Sequence, residues 1–356
     1  MFNSLSLPMV LLIFVVAAAA IWIAGIQLSN TADVLSSRLG LGEALGGLIL
    51  LAIATNLPEI AITISAALQH NLGIATGNIL GGIAIQTVVL VVLDAFGVSG
   101  KYPLTYHAAS LTLVLEGLLV IAVLIVGIMG TQLPPSVIFD RITPEGLLIA
   151  VLWLVGLWLI GKAGKGLPWH EQGDAPNSQE ADRGASKQVK AKKAQDKGVS
   201  LARTGIVFSI ASLVTLGVGV VLEQSGDAIA HHLGISGVLF GATFLAAATA
   251  LPEVSTGLTS VKLQDYQLAV SDIFGGNAFL PVLFLLATLL SGQAVLPRAE
   301  KTDIYIAGLG ILLTTVYICG LIFRPGRRIL RMGIDSLVVL VLYVLGTVGL
   351  IAVAQG

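Results

Sequence analysis

Residues 51–59 read LAIATNLPE and residues 245–253 read LAAATALPE, so seven of nine positions match at an offset of 194 residues. The same offset relates GNILGGIA at 77–84 to SDIFGGNA at 271–278. Aligning 25–86 with 219–280 requires no gap and gives 19 identities in 62 positions. These include Asp33/Asp227, Thr55/Thr249, Pro58/Pro252, Glu59/Glu253 and Gly81–Gly82/Gly275–Gly276. Apolar segments share composition, so some matches are chance. Polar matches in a gapless register are not explained that way, and they mark a duplicated unit.

The surroundings of both copies are apolar. Of 356 residues, 56% are hydrophobic and 11% are charged, against about 25% charged in an average soluble domain. Mean hydropathy is +0.94. Such a chain has too little charge to cover a soluble domain or to neutralise phosphates, which excludes an ordinary soluble enzyme and a nucleic-acid binder. The single cysteine, Cys319, excludes an intrachain disulfide framework. Charge is also unevenly placed. Residues 162–203 hold nine basic and five acidic residues in a Gly-, Ser- and Gln-rich stretch that reads as a linker. It separates an N-terminal unit, 1–161, from a C-terminal unit, 204–356.

Each unit divides into five apolar segments of at least ~18 residues, the length that crosses a ~30 Å hydrocarbon core. The spans expected are 8–28, 41–68, 73–96, 105–128, 143–161, 204–223, 235–261, 267–290, 303–323 and 335–354. The AAAA run at 17–20 resembles a signal cleavage site, but no basic residue precedes it, so a retained helix is expected. Basic residues set orientation. With both termini outside, 16 of 19 lie on the cytoplasmic side, including Arg38, Lys101, the central loop, Lys262 and Arg324, Arg327, Arg328 and Arg331. Arg141, Arg298 and Lys301 lie outside. The motif copies fall in spans 2–3 and 7–8. They are five spans apart, an odd number, so they cross in opposite senses. Inverted repeats of this kind characterise secondary transporters, with a site near the midplane. The expected fold is an all-α membrane protein of ten transmembrane helices in two inverted five-helix repeats, with broken helices 2, 3, 7 and 8 at the centre.

Glu59 and Glu253 fall near the middle of spans 2 and 7. An intramembrane carboxylate costs at least ~2.5–3.5 kcal/mol unless paired or hydrated. Two at matched positions face each other across the pseudo-twofold, and a bound cation or protons relieve their repulsion. Pro58 and Pro252 lack an N–H, which frees Ala54 C=O and Ala248 C=O and loosens those of Thr55 and Thr249. Thr55 and Thr249 precede the glutamates by one helical turn on the same face. Carbonyl, hydroxyl and carboxylate oxygens together suit Ca²⁺ or Na⁺. Asn78 and Gln86 on span 3, and Asp272 and Asn277 on span 8, add polar groups at depth.

The ATNLPE and ATALPE segments, each followed about 20 residues later by a glycine-rich element, resemble the two alpha-repeats of the calcium:cation antiporter superfamily, which includes sodium/calcium and proton/calcium exchangers. Its usual pattern is G-T-S-L-P-E followed by G-N-x-x-G-S-N-x-x-N/D. The resemblance covers both repeats, the 5 + 5 layout and the cytoplasmic central loop. It implies that Glu59 and Glu253 are the central ion ligands and that Thr55, Thr249 and Asn56 flank them. It also implies that the last polar position of the second motif falls on Gln86, and on Leu280 in the second copy. There the chain departs from the family, which has Asn or Asp at both. Gly82 and Gly276 replace the family's serines, and Ala250 stands opposite Asn56. Asp272, eight residues before Leu280, either compensates as a ligand or serves as a vestibule charge.

Two carboxylates neutralise one Ca²⁺, two Na⁺ or two protons. The function expected is therefore secondary-active antiport, exporting Ca²⁺ against Na⁺ or H⁺ by alternating access, with no resident cofactor. The missing serine hydroxyls add weight to protons. The alternatives are another cation (K⁺, Mg²⁺ or Mn²⁺) and a degenerate, non-transporting homologue. An intramembrane enzyme lacks any His-Glu-x-x-His or Ser/His/Asp set, and a channel lacks a carbonyl filter. The partners expected are inorganic cations and the lipid bilayer of a plasma or inner membrane. Both repeats lie in one chain, so a monomer suffices. Glu116, deep in span 4, reads as a helix-packing acid with a polar neighbour or as a proton-sensitive group. Asp33 and Asp94 read as solvated interfacial charges, and His70, His107, His231 and His232 as span-end residues. The KQVKAKKAQDK run reads as a solvated loop, with contact to anionic lipids the other reading.

Overall fold

A computed structural model describes residues 2, 4–39, 53–135, 141–163 and 200–355. Residues 164–199 of the central linker, the first part of the expected second span and Asp33's side chain lie outside the described residues. The described chain is helical apart from a two-stranded hairpin. Among the described residues eight helices are long and apolar enough to cross a membrane, or nine if one bent pair counts as a span. This is an integral membrane protein.

Helix α1 (Leu7–Leu39) runs 33 residues, beyond the expected end at 28. No Gly or Pro interrupts 29–39, and Thr31 Oγ1 bonds back to Gln27 O at 2.6 Å within the helix. Next come α2 (Leu57–Leu68) and α3 (Leu72–Val92), which ends in one π turn, Leu93–Gly97. The fourth span does not begin at 105. A separate five-residue helix, α4 (Leu104–Ala108), precedes α5 (Leu111–Gly130), because Ser110 turns extended and caps Thr112 N at 3.2 Å. Helix α6 is Pro144–Ala163.

The second unit opens with α7 (Leu201–Leu233), again 33 residues and again longer than expected. Then come α8 (Gly237–Thr249, with a π turn at Gly241–Leu245), α9 (Leu251–Lys262), α10 (Tyr266–Phe279), a 3₁₀ turn at Leu280–Val282, and α11 (Leu283–Ser291). Helix α12 (Lys301–Phe323), strands β1 (Arg328–Ile329) and β2 (Met332–Gly333), and α13 (Ile334–Gln355) complete the chain.

The offset of 194 persists in the elements. Leu7–Leu39 maps onto Leu201–Leu233 and 57–68 onto 251–262, while α3 and α10 both start in register, at 72 and 266. Three of the four expected breaks are present. Asn56 interrupts the helix before α2, α8 and α9 meet at a 42° bend at Ala250, and Pro281 imposes the 3₁₀ turn after α10. The third span is a correction. Helix α3 runs unbroken from Leu72 to Val92, since it contains no proline and its glycines serve packing instead.

Helices α3 and α10 form the centre, with α1 and α7 packed along each other at the side. At the centre, α8 crosses α3 so closely that a Cβ on Gly241 would lie 2.9 Å from Ile74 O and 3.0 Å from Asn78 N. Two turns of chain backbone meet there because glycine supplies no side chain. Asp94 is a further correction. It is fully buried, accepting from Leu104 N (2.8 Å), Gly333 N (2.6 Å) and Ser336 Oγ (2.8 Å). It fastens the end of α3 to the hairpin.

Candidate cation site

Both halves place a glutamate by the same local device. The helix stops at Asn56 or Ala250, and a new one starts with Leu-Pro-Glu, proline taking the first-turn position where its absent N–H costs nothing. Glu59 and Glu253 therefore stand in the first turn of α2 and α9, at the positive end of each helix dipole. Glu59 is 0% and Glu253 2% exposed. Thr55, Thr249, Asn56, Gln86 and Asn277 are buried with them.

The structure brings most of the expected set together. Gln86 Nε2 donates to Glu59 Oε1 at 3.3 Å. The Thr249 hydroxyl donates to Ala246 O at 3.1 Å and adjoins the Glu59 carboxylate, a contact between the two repeats. Glu253 has both Glu59 and Asp272 as electrostatic neighbours. Asp272 accepts from Thr256 Oγ1 at 3.4 Å, so it attaches to the Glu253 side rather than to the midpoint. Asn56 Nδ2 donates to Thr55 Oγ1 at 3.4 Å. A Cβ on Gly276 would lie 3.0 Å from Asn56 Nδ2 and 3.3 Å from Gln86 Oε1. Glycine at the family's serine position thus lets two amides of the other repeat pack against the α10 backbone. A Cβ on Gly82 would meet Leu280 Cδ1 at 3.2 Å, so that pseudo-equivalent space is walled by an apolar group.

The polar inventory is unbalanced. Glu59 Oε2 and both oxygens of Glu253 lack hydrogen-bond partners among the described residues, as do both polar atoms of fully buried Asn78. No basic side chain adjoins either glutamate among the described residues. Buried carboxylates of this kind call for a cation or protons. Among the described residues no three His, Cys, Asp or Glu side chains converge into a chelate, so any ion shell draws on two carboxylates plus amide, hydroxyl and carbonyl oxygens. That donor set suits a hard, transiently held cation.

Some polar groups escaped the sequence reading. Glu223, 1% exposed, accepts from Ser65 Oγ (2.8 Å) and Gln69 Nε2 (2.9 Å), tying α7 to α2. It was invisible because the expected sixth span ended at 223. Thr87 Oγ1 accepts from Asn277 Nδ2 at 3.1 Å, joining α3 to α10. Glu116 accepts from Ser271 Oγ at 3.0 Å, which meets the reading of a packing acid with a polar neighbour.

Comparison with known proteins bears on the family and the fold. The family model described as sodium/calcium exchanger protein matches residues 9–161 and 202–352. The inner membrane protein YrbG of Escherichia coli (strain K12) is 26% identical over 310 residues, 85% of this chain and 86% of that protein. The solved structure of the H⁺/Ca²⁺ exchanger CAX superposes with a TM-score of 0.63 at 14% identity, over 96% of this chain and 82% of that one. The sodium-calcium exchanger NCX_Mj gives 0.57 at 17% identity, over 96% and 98%. At these identities the structures speak for the fold alone. The family match, over both halves and interrupted only at the linker, makes this a transport protein rather than an enzyme: the chain belongs to the sodium/calcium exchanger protein family.

Proposed function

We propose that the protein exports Ca²⁺ in exchange for Na⁺ or H⁺ by alternating access, with the ion held between Glu59 and Glu253 at the membrane midplane. The observation that carries this reading is the pair itself: two buried, neighbouring carboxylates at matched repeat positions with no basic partner among the described residues. Thr55, Thr249, Asn56 and Gln86 complete the shell, and Asp272 attracts the ion on the Glu253 side. The empty site carries two charges and reorients poorly, while one Ca²⁺, two Na⁺ or two protons neutralise it. Exchange follows from that difference, since a ligand drives a conformational equilibrium only through differential affinity. Proton coupling gains from glycine at 82 and 276, where hydroxyls for sodium are lacking.

The reading includes ten spans in two inverted units, 1–161 and 204–356, with residues 162–203 cytoplasmic and both termini outside. It places the protein in an inner membrane, as the name of the Escherichia coli relative does for that protein. Uptake of ⁴⁵Ca²⁺ into proteoliposomes under an imposed Na⁺ or pH gradient tests it. Gradient-driven uptake is expected, and no flux under either gradient overturns it. Leu280 favours the second reading, a homologue that binds without transporting; saturable Ca²⁺ binding with no flux is its signature.

A further inference from the structure

Helix α12 leaves the apolar zone at Phe323 and α13 re-enters it at Ile334. The ten residues between hold four arginines and no acid. Two of the arginines are structural. Arg328 donates to the carbonyls of Asp94 (2.8 Å), Val98 (3.2 Å) and Gly100 (3.0 Å), and Arg324 to Tyr106 O at 2.9 Å. They clamp the hairpin rigidly against the end of α3. The other two, Arg327 and Arg331, are exposed, and no hydrogen bond or ion pair engages their side chains among the described residues.

The tip has unusual chemistry. Strands β1 and β2 pair Arg328 with Gly333 and Ile329 with Met332, leaving Leu330 and Arg331 as a two-residue turn. Both have positive φ, 52° and 70°. A turn of that class normally takes Asn-Gly, because branched or bulky L-residues are strained there. Here a leucine occupies it with 76% of its surface exposed, beside Ile329 at 43%. In water this tip would combine backbone strain with bare apolar surface. At a bilayer boundary the same groups are matched: the apolar tip enters the acyl region while the guanidiniums reach phosphates.

We propose that the 327–331 tip is a docking site for anionic phospholipid headgroups, with Leu330 and Ile329 inserted into the leaflet and Arg327 and Arg331 holding lipid phosphates. Charge complementarity names the occupant, since the loop carries only positive charge and joins two helices each long and apolar enough to cross a membrane. Strain held at an exposed position points the same way, because it persists where function requires it.

The test uses the full chain with Cys319→Ala and Leu330→Cys, labelled with bimane and reconstituted into mixed phosphatidylcholine and phosphatidylglycerol vesicles. Bromine is placed on the acyl chains of one lipid or of the other. Quenching about twofold deeper from brominated phosphatidylglycerol is expected, with the preference weakening as salt screens it. In Arg327→Gln/Arg331→Gln the preference should vanish while quenching by total lipid remains. Equal quenching by both lipids in the parent overturns the proposal, whether or not the arginine variant folds. So does absence of quenching by either, which leaves the tip in water. Loss of the preference on adding inorganic phosphate reassigns the arginines to a soluble anion and likewise overturns it.

Discussion

Glu253 is the residue on which the account turns, because neither of its carboxylate oxygens has a hydrogen-bond partner among the described residues. Glu59, by contrast, has Gln86. The two should therefore differ under substitution. Glu253→Gln and Glu59→Gln each remove one of two ion-neutralising charges and should each reduce ⁴⁵Ca²⁺ flux at least about 100-fold, equivalent to ~2.7 kcal/mol. Glu253→Gln should raise thermal stability in the absence of ions, since it removes an uncompensated buried charge, while Glu59→Gln should change it less. Equal stability shifts would contradict the asymmetry. Leu280→Asp returns a carboxylate to the depleted half and should tighten Ca²⁺ binding roughly tenfold, ~1.4 kcal/mol. An unchanged affinity in equilibrium binding would remove position 280 from the shell. At this scale the sequence was informative where chemistry is scarce. A glutamate amid apolar residues is conspicuous, and its recurrence at 194 more so. Asp94 shows the opposite. It sits at a span end, where solvation is the ordinary fate, and only the tertiary return of Gly333 and Ser336 to its carboxylate buries it.

Among the elements, the broken helices do the positioning. The 42° bend between α8 and α9 starts a new helix at Leu251, which sets Glu253 in its first turn and within electrostatic reach of Glu59. Pro252→Ala restores the missing donor and should straighten the helix. Flux should fall by about tenfold with no loss of thermal stability, as a gain in helix regularity offsets the repacking. A large drop in unfolding temperature would show that the bend serves packing alone. Pro58 and Pro252 made breaks 2 and 7 legible, whereas glycine pairs pointed equally to a break or to close packing: α3 resolved as packing against α8, and the break after α10 follows Pro281, which the sequence reading did not single out. The lengths of α1 and α7 were missed because hydropathy fades after residues 28 and 223, although nothing in either stretch stops a helix. At the opposite end of α3, Arg328 serves four carbonyls at once, those of Asp94, Val98, Gly100 and Arg331. Arg328→Ala should cost roughly 2–3 kcal/mol, as for bonds to a charged group, read as a fall in unfolding temperature. A neutral result would make the clamp dispensable.

Across the whole molecule, pH acts on stability through His107, which lies between spans and stacks on Tyr266 at 4.7 Å. Burial foremost, then the Arg324 and Arg328 guanidiniums, holds its imidazole below the usual 6.5, and Asp94 offsets part of this. The folded form thus binds fewer protons than the unfolded chain in the window below 6.5. Stability from this group is present above that value and is lost as pH falls through it. His107→Gln should flatten the dependence of unfolding temperature on pH between about 7 and 5; an unchanged slope would assign it to other groups. The duplicated architecture itself was readable from one gapless alignment, and the elements kept its offset from Leu7 to Lys262. What sequence alone did not disclose was how the halves join, through Thr249 beside Glu59, Asn277 with Thr87, and Asp94 with the hairpin. The most direct measurement of the central claim is equilibrium ⁴⁵Ca²⁺ binding to the purified protein, its Glu59→Gln and Glu253→Gln variants, with Na⁺ and H⁺ as competitors. Saturable binding of one Ca²⁺ per chain, displaced by protons or Na⁺ and lost in both variants, is the predicted result. Binding that survives in either variant, or that neither competitor displaces, would contradict a shared site between the two glutamates.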